Sequence, residues 1–484
     1  MKRKNLVKVV VSVLGLFVLL NTGNYFPIKA KAEGNDLQQV LVMYKNTKGK
    51  EAVLNISKKV EKHFDSVSTV SVILNQKSIN NLVDNPNIAD VEPNTRFKVS
   101  DNQILKPLKI SSVSLGSTST IPVEESQWDL HASKAPLAWH EGITGKGVKV
   151  AIIDTGIAPH PDLNIAGGVS TVSYTKSYTD DNGHGTHVAG IVGAKLNGRG
   201  MVGIAPDVQL FAVKSLDNKG EGNLSDVITG IDWAIANHMN IINLSLSTTV
   251  DSPLLHNVVD KAYNNGVLVV SASGNSGNVQ GTGDNVTYPA KYPHVLSVSA
   301  VNSQMVRASF SSTGKIDFSA DGVNVLSTYL NGMYAIGSGT SQAAPHVTGL
   351  LALLKQKYPS KTNEQLVAIL KSYSRALGVA ALYGDGFAQY QTITPKSTII
   401  TAPTGTAKTK MIQAQFNVVL AKVKLYVEIA ERYKTRVSIN NAQKYIDALP
   451  VSEEKAVFQN RLNVLKGIVK SASTHHGNKP YNNQ

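Results

Sequence analysis

Three short stretches combine residue types that can carry out acyl transfer. Ala151-Ile-Ile-Asp154-Thr-Gly156 sets an acid at the end of an apolar run. Asn182-Gly-His184-Gly-Thr-His187-Val-Ala-Gly190 carries a histidine between glycines. Gly337-Ser-Gly-Thr-Ser341-Gln-Ala-Ala-Pro345-His346 carries a serine where a helix is expected to begin. A serine hydroxyl is a poor nucleophile until a base takes its proton. His184 can take that proton and hand it to a leaving amine, while Asp154 holds the imidazole in the right tautomer and stabilises its charged form. At a helix N-terminus, Ser341 brings a backbone N–H and a positive dipole end to a developing oxyanion.

Each stretch has a plainer reading when taken singly. Asp-Thr-Gly also serves aspartic proteases, but these need two such acids close together, and no second copy is present. His184 and His187 suggest a metal pair, yet Gly185 weakens the helix that would set both on one face. Gly-Thr-Ser suits a simple N-cap. The order Asp, His, Ser within one segment favours the catalytic reading.

Elements must place these side chains together. Residues 122–391 alternate short apolar runs with helical stretches. The runs are Val148 to Ile153, Leu210 to Val213, Ile241 to Ser245, Val267 to Ser271 and Val295 to Ser299. Leu224 to His238 and Leu254 to Asn264 have helical character. The rhythm predicts an α/β fold, a parallel sheet with helices on both faces. In such a fold, active groups collect at the C-terminal ends of the strands.

The three motifs resemble the signatures of the subtilisin family of serine proteases, and the resemblance covers nearly all of 122–391. It implies Asn275, in Ser271-Ala-Ser-Gly-Asn275, as the side-chain donor of the oxyanion hole, with Thr340 in support. It implies that a substrate binds as an added strand between Ser245-Leu246-Ser247 and Gly220-Glu221-Gly222. Ser247-Thr248 replaces a common glycine pair, and Thr287 and Ala290 stand at pocket positions often held by glycine. Gln342 stands where many relatives carry methionine. Glu221 is expected to attract a basic side chain about four residues before the cut bond, unless it is simply a solvated charge. The resemblance also implies Ca2+, held by Asp162, the Asn197 side chain and the carbonyls of Lys195, Arg199 and Met201, with Glu124 at an N-terminal ligand position. Oxygen donors from several segments suit that ion; the alternative is a polar loop with no ion.

The flanks fit a precursor. Lys2, Arg3, Lys4 and Lys8 precede the apolar run Val9 to Leu20, and Ala30-Lys31-Ala32 supplies a small-x-small cleavage site. Residues 1–32 therefore read as a signal peptide. Residues 33–121 read as a small α/β propeptide and linker. Strands are expected at Leu37 to Tyr44, Val67 to Leu74 and Ile88 to Pro93, with helices at Glu51 to Phe64 and Ser78 to Val83. Residues 99–121 show little periodicity. By the resemblance, this propeptide is the enzyme's own inhibitor. Residues 392–409 read as a linker and 410–484 as a basic helical extension. Its stripes are Phe416, Leu420, Val423, Val427 and Ala430, then Ile439, Ala442, Ile446 and Leu449, then Val457, Leu462 and Leu465. Ala430 to Leu465 resembles a repeat found behind the catalytic domain of a minor extracellular member of the same family.

Composition narrows the rest. The chain has no cysteine, so disulfides, a thiol nucleophile and a Cys-ligated zinc are excluded. Residues 122–391 carry 17 basic and 20 acidic side chains, which argues against nucleic acid as a partner. Residues 392–484 carry 14 basic and 5 acidic ones, a surplus that suits an anionic cell wall. The expected protein is a secreted monomer acting on proteins and peptides. The rival reading is an inactive, surface-bound scaffold that works through its basic end.

Overall fold

The computed structural model describes residues 36–99, 103–108, 127–198, 200–392, 423, 427, 431, 436–447 and 453–474. They belong to two compact units, residues 1–392 and 393–484.

A seven-stranded parallel sheet is the centre of the first unit. From edge to edge its strands are Phe318–Asp321, Val295–Val301, Leu268–Ala272, Ile241–Leu244, Lys149–Asp154, Gln209–Lys214 and Ile165–Ser170. Alternate residues of one strand enter different cores. Val150 and Ile152 join one apolar cluster, and Ala151 and Ile153 join another. Both faces are thus covered, and for this reason the strands read as unbroken apolar runs. Helices His184–Gly193 and Thr340–Lys357 supply Val188, Val192, Val347 and Leu351 to the first cluster. Helices Leu224–Ala236 and Pro253–Asn264 supply Val227, Ile231, Leu255 and Val259 to the second. The expected α/β sheet with helices on both faces is the observed one. Both edge strands were missed, and the glycines Gly167 and Gly168 dilute the pattern in one of them.

Residues 36–93 form a four-stranded antiparallel sheet, ordered Lys59–Phe64, Thr69–Asn75, Leu37–Tyr44 and Ile88–Pro93, with helices Thr47–Ile56 and Gln76–Val83. The helix expected over Glu51 to Phe64 is corrected: it ends at Ile56, and Lys59–Phe64 is an edge strand. Its backbone pairs with Thr69–Asn75, and this ladder overrides the weak helical preference of a polar segment. Two further strands lie where little pattern was read. Arg96–Val99 pairs with Glu221–Asn223 and Leu246–Ser247. Gln103–Leu108 pairs with Tyr334–Ser338.

In the second unit, helices Arg436–Asp447 and Glu453–Thr474 bury Ile439, Ala442, Ile446, Phe458, Leu462 and Leu465, together with Val423 and Val427. Arg461 grips Glu431 through two hydrogen bonds of 2.7 and 2.6 Å. Val457, expected in the core, is exposed and Phe458 takes its place; one step along a helix turns a side chain by about 100°. Phe416, Leu420, Ala430 and Leu449 lie outside the described residues.

Candidate active site

The strand Lys149–Asp154 ends on Asp154, which is fully buried. His184 Nδ1 lies 2.7 Å from Asp154 Oδ1, and the Thr155 N–H donates to the same oxygen at 2.7 Å. Burial pushes the Asp154 carboxyl above its ordinary range, while His184 and the Thr155 N–H pull it back. With Nδ1–H donated to the carboxylate, Nε2 is the basic nitrogen of the ring.

The turn before His184 is built to make this contact. Asp180 accepts from the N–H groups of Gly183 and Thr186 and from the Thr186 hydroxyl at 2.9, 2.9 and 2.6 Å. The Gly185 N–H donates to Thr155 Oγ1 at 2.9 Å. A Cβ at Gly185 would lie 2.1 Å from the Gly156 carbonyl oxygen and 3.2 Å from Asp154 Oδ1. The helix approaches the acid closely because nothing stands on that carbon.

Ser341 occupies the first turn of the helix Thr340–Lys357, at the end of the same layer. Pro345 has no N–H, so the carbonyl of Ser341, four residues back, has no helical donor. The Ser245 hydroxyl donates to that carbonyl at 2.9 Å, and Ser341 Oγ lies 3.4 Å from the Ser245 carbonyl. Asn275 follows the strand Leu268–Ala272. Its Oδ1 accepts from the N–H and hydroxyl of Thr340 at 3.0 and 2.9 Å. Those donors fix the amide, turning its NH2 away from Thr340. Thr340 Oγ1 in turn accepts from the Gly274 N–H at 3.1 Å. Gln342, next to the serine, is fully buried.

A groove runs past Ser341, and one part of the chain fills it. Arg96–Val99 forms the middle strand of an antiparallel sheet whose outer strands are Glu221–Asn223 and Leu246–Ser247. The Val99 N–H donates to the Gly220 carbonyl at 2.9 Å. Ser245, Leu246, Ser247, Gly220, Glu221 and Gly222 therefore come together along one channel. Glu221 and Arg96 pair at 2.7 Å with both side chains exposed. Ala290 is buried with Val286 and Ile316, and its carbonyl accepts from Lys315 at 3.2 Å. The groove strand was not anticipated. Its only local sign is Phe97, a single aromatic residue between Arg96 and Lys98.

Asp162 is buried. Its Oδ1 accepts from the Asn197 side chain at 3.1 Å and its Oδ2 from the Tyr334 hydroxyl at 2.5 Å. The Lys195 N–H donates to the Asp162 carbonyl at 2.7 Å. Gln127 pins the far side of the loop through both backbone groups of Val202 at 3.1 and 2.8 Å. Arg199 and Glu124 lie outside the described residues. Among the described residues, no three His, Cys, Asp or Glu side chains form a metal-binding group. A hard cation here would rest on one buried carboxylate, one side-chain amide and main-chain carbonyls, a donor set of the right chemistry for calcium.

Comparison with known proteins gives the family. The model of the subtilase family matches residues 145–386. The minor extracellular protease Epr of Bacillus subtilis (strain 168) is 44% identical over 459 residues, covering 94% of this chain and 66% of that protein. The thermostable alkaline protease of Halalkalibacterium halodurans is 43% identical over 324 residues, covering 67% of this chain and 82% of the relative. Subtilisin E of Bacillus subtilis (strain 168) is 38% identical over 396 residues, covering 79% of this chain and 98% of the relative.

Proposed function

Since the chain belongs to the subtilase family, we propose that it is a secreted serine endopeptidase, made as a precursor, with Asp154, His184 and Ser341 as its catalytic triad. The observation that carries this reading is the 2.7 Å hydrogen bond between His184 Nδ1 and Asp154 Oδ1. Ser341 Oγ attacks the scissile carbonyl as His184 Nε2 takes its proton. The imidazolium, stabilised by Asp154, then protonates the leaving amine. The Asn275 NH2 and the backbone N–H of Ser341 receive the oxyanion. Water enters as the second nucleophile and frees the acid. A fluorophosphonate probe tests the assembly directly, because it reacts only with an activated serine. Labelling of the wild type and none of Ser341→Ala is the expected result. No labelling of either would return the protein to the inactive-scaffold reading.

In this reading residues 1–32 direct export, and residues 33–99 act as inhibitor, with Arg96–Val99 in the groove, until they are cut away. The inserted strand supports that role, because it blocks the channel that a substrate strand would need.

Calcium would be held by Asp162, the Asn197 amide and the carbonyls of Lys195 and Met201, with Arg199 and Glu124 completing the set. Its contribution is structural, bridging segments far apart in sequence. A ligand present at 100 to 1,000 times its Kd stabilises the fold by about 3 to 4 kcal/mol. Excess chelator is therefore expected to lower Tm by several degrees and to speed autolysis. An unchanged melting curve would remove the site.

The C-terminal unit, with its 14 basic and 5 acidic side chains over residues 392–484, is proposed to hold the enzyme at an anionic cell wall. Exposed charge attraction is screened within about 10 Å at 0.1 M salt. The full chain is expected to bind isolated walls at low salt and to leave them at high salt. A form ending at Tyr390 should bind weakly in both. Equal binding by the two forms would reject the anchor.

A further inference from the structure

We propose that Lys315 is a positioning residue: its ammonium, held between the Ala290 and Val295 carbonyls and Asp317, sets one wall of the substrate pocket. The proposal rests on the serine-peptidase reading above and adds a residue outside the triad and the oxyanion site.

The wall is the segment 286–295, and two seams tie it to the site. The Thr287 N–H and hydroxyl both donate to the Ser273 carbonyl, at 3.0 and 3.2 Å, two residues before Asn275. Thr248, next to the groove edge Leu246–Ser247, exchanges two backbone hydrogen bonds with Tyr288, at 3.0 and 2.9 Å. The segment thus runs between the proposed oxyanion donor and the end of the groove. Thr287 and Ala290 are buried, so their placement fixes the space left for a substrate side chain. The apolar support behind them is thin, a separate cluster of Val286, Ala290 and Ile316.

Lys315 supplies the rest. Its Nζ donates to the Ala290 carbonyl at 3.2 Å, to the Val295 carbonyl, and to Asp317 Oδ2 at 2.7 Å. An ammonium has three N–H groups and no acceptor, so these three partners use all of it. Asp317 is itself fixed to the parallel sheet. Its Oδ2 accepts from the Ser297 N–H at 2.7 Å, and its own N–H donates to the Ser297 carbonyl at 2.9 Å. Ser297 belongs to the strand Val295–Val301. The path runs from that strand through Asp317 and Lys315 to both ends of the turn 290–295.

The charge matters more than the length of the side chain. Two carbonyl oxygens and a carboxylate converge on one point. With an ammonium there, each hydrogen bond is charge-assisted. With a neutral side chain, three negative ends face one another and the turn moves apart. Ala290 moves with its carbonyl, and the pocket loses its wall. Asp154, His184 and Ser341 keep the contacts described above, which involve neither Lys315 nor Asp317. The loss therefore falls on binding rather than on chemistry.

The test compares the secreted wild type with Lys315→Met and Lys315→Ala. Two fluorogenic peptides are used that differ only in the residue before the cut bond, leucine in one and alanine in the other. In Lys315→Met, KM for the leucine peptide should rise about tenfold, the size of one lost hydrogen bond to a charged group. Its kcat, and KM for the alanine peptide, should stay within about twofold of wild type. The Lys315 side chain is 30% exposed, so in Lys315→Ala a small amine can enter from solvent. Added ethylammonium should restore KM for the leucine peptide in that variant. It should change neither the wild type nor Lys315→Met, whose side chains fill the space. A role in stability alone would lower Tm, give equal losses on both peptides and show no recovery with the amine. That result, or unchanged KM in both variants, overturns the role of Lys315 and leaves the peptidase reading intact. A wild type that cuts neither peptide and resists the fluorophosphonate probe overturns both.

Discussion

Ser341→Ala is expected to lower kcat/KM by about 10⁴- to 10⁶-fold and to leave the precursor uncut, the range seen when triad members are removed from subtilisin, a relative of this chain. The size follows from the interactions around the serine. Without Oγ there is no acyl-enzyme, and His184 has no proton to take. In the proposed mechanism what survives is the oxyanion site at Asn275 and the groove, which would still bind and polarise a carbonyl for attack by water. The substitution is mild for the fold. Ser341 is fully buried, but the groups that hold its helix are the Ser341 carbonyl with Ser245 and the Thr340 contacts to Asn275. None needs the Ser341 hydroxyl. The variant should therefore melt near the wild-type temperature once the calcium level is matched. Peptidase assays with a fluorogenic substrate and the intact mass of the secreted product check both halves. A Ser341→Ala protein that matures and turns over substrate would end the assignment.

The positions proposed as the triad were legible because each depends on its immediate neighbours. Asp154 closes a buried strand, His184 opens a helix between glycines, and Ser341 opens another before Pro345. Local sequence sets those positions, and the parallel sheet brings the strand ends together. The groove strand was opaque for the converse reason. Arg96–Val99 is a strand only because Glu221–Asn223 and Leu246–Ser247, more than a hundred residues later, offer unpaired edges. Four residues with one buried side chain carry no period to read. The same holds for Lys59–Phe64, whose six residues bury only Phe64. In the C-terminal unit the helices were legible from their stripes, but a single position, Val457 against Phe458, was not. There the packing of one aromatic ring decides the face. The roles of Thr95 and Asn94 were equally hidden. The Thr95 carbonyl accepts from the Leu224 N–H at 2.8 Å, and Asn94 Oδ1 accepts from the Ser225 N–H at 2.9 Å, so the N-terminal sheet caps a helix of the catalytic unit.

A second cap of this kind should make the inhibitor's grip depend on pH. Glu92 is the penultimate residue of the strand Ile88–Pro93, is 8% exposed, and accepts from the Leu254 N–H at 2.9 Å, in the first turn of Pro253–Asn264. Burial pushes its carboxyl up to about 7 from the usual 4.5. Ser252 and the Leu254 N–H oppose the rise, and the nearby Asp90 and Asp251 add to it. Ser252 and Leu254, the residues that hydrogen-bond Glu92, lie in the catalytic segment, so the undocked carboxyl is taken to have its ordinary value. Docking therefore raises its proton affinity, and a proton favours docking. The stabilisation is complete below about 4.5 and is lost as the pH rises through about 7. Across that window a shift from 4.5 to about 7 weakens binding by up to about 300-fold. Above the window the affinity levels off, with an ionised carboxylate buried at the helix start. A precursor cut in a mildly acidic setting would keep its inhibitor, and the same protein at neutral or alkaline pH would release it. The measurement is Ki of a fragment of residues 33–100 against the mature enzyme from pH 4.5 to 8, with the enzyme's own pH profile determined on the same substrate. Wild-type Ki should climb through the window. Glu92→Gln keeps an acceptor for the Leu254 N–H but cannot ionise, so its Ki should stay nearly flat. Asp90→Asn, which removes a neighbouring charge, should shift the climb to lower pH. Parallel curves for Glu92→Gln and the wild type would mean that the pH dependence belongs to other groups.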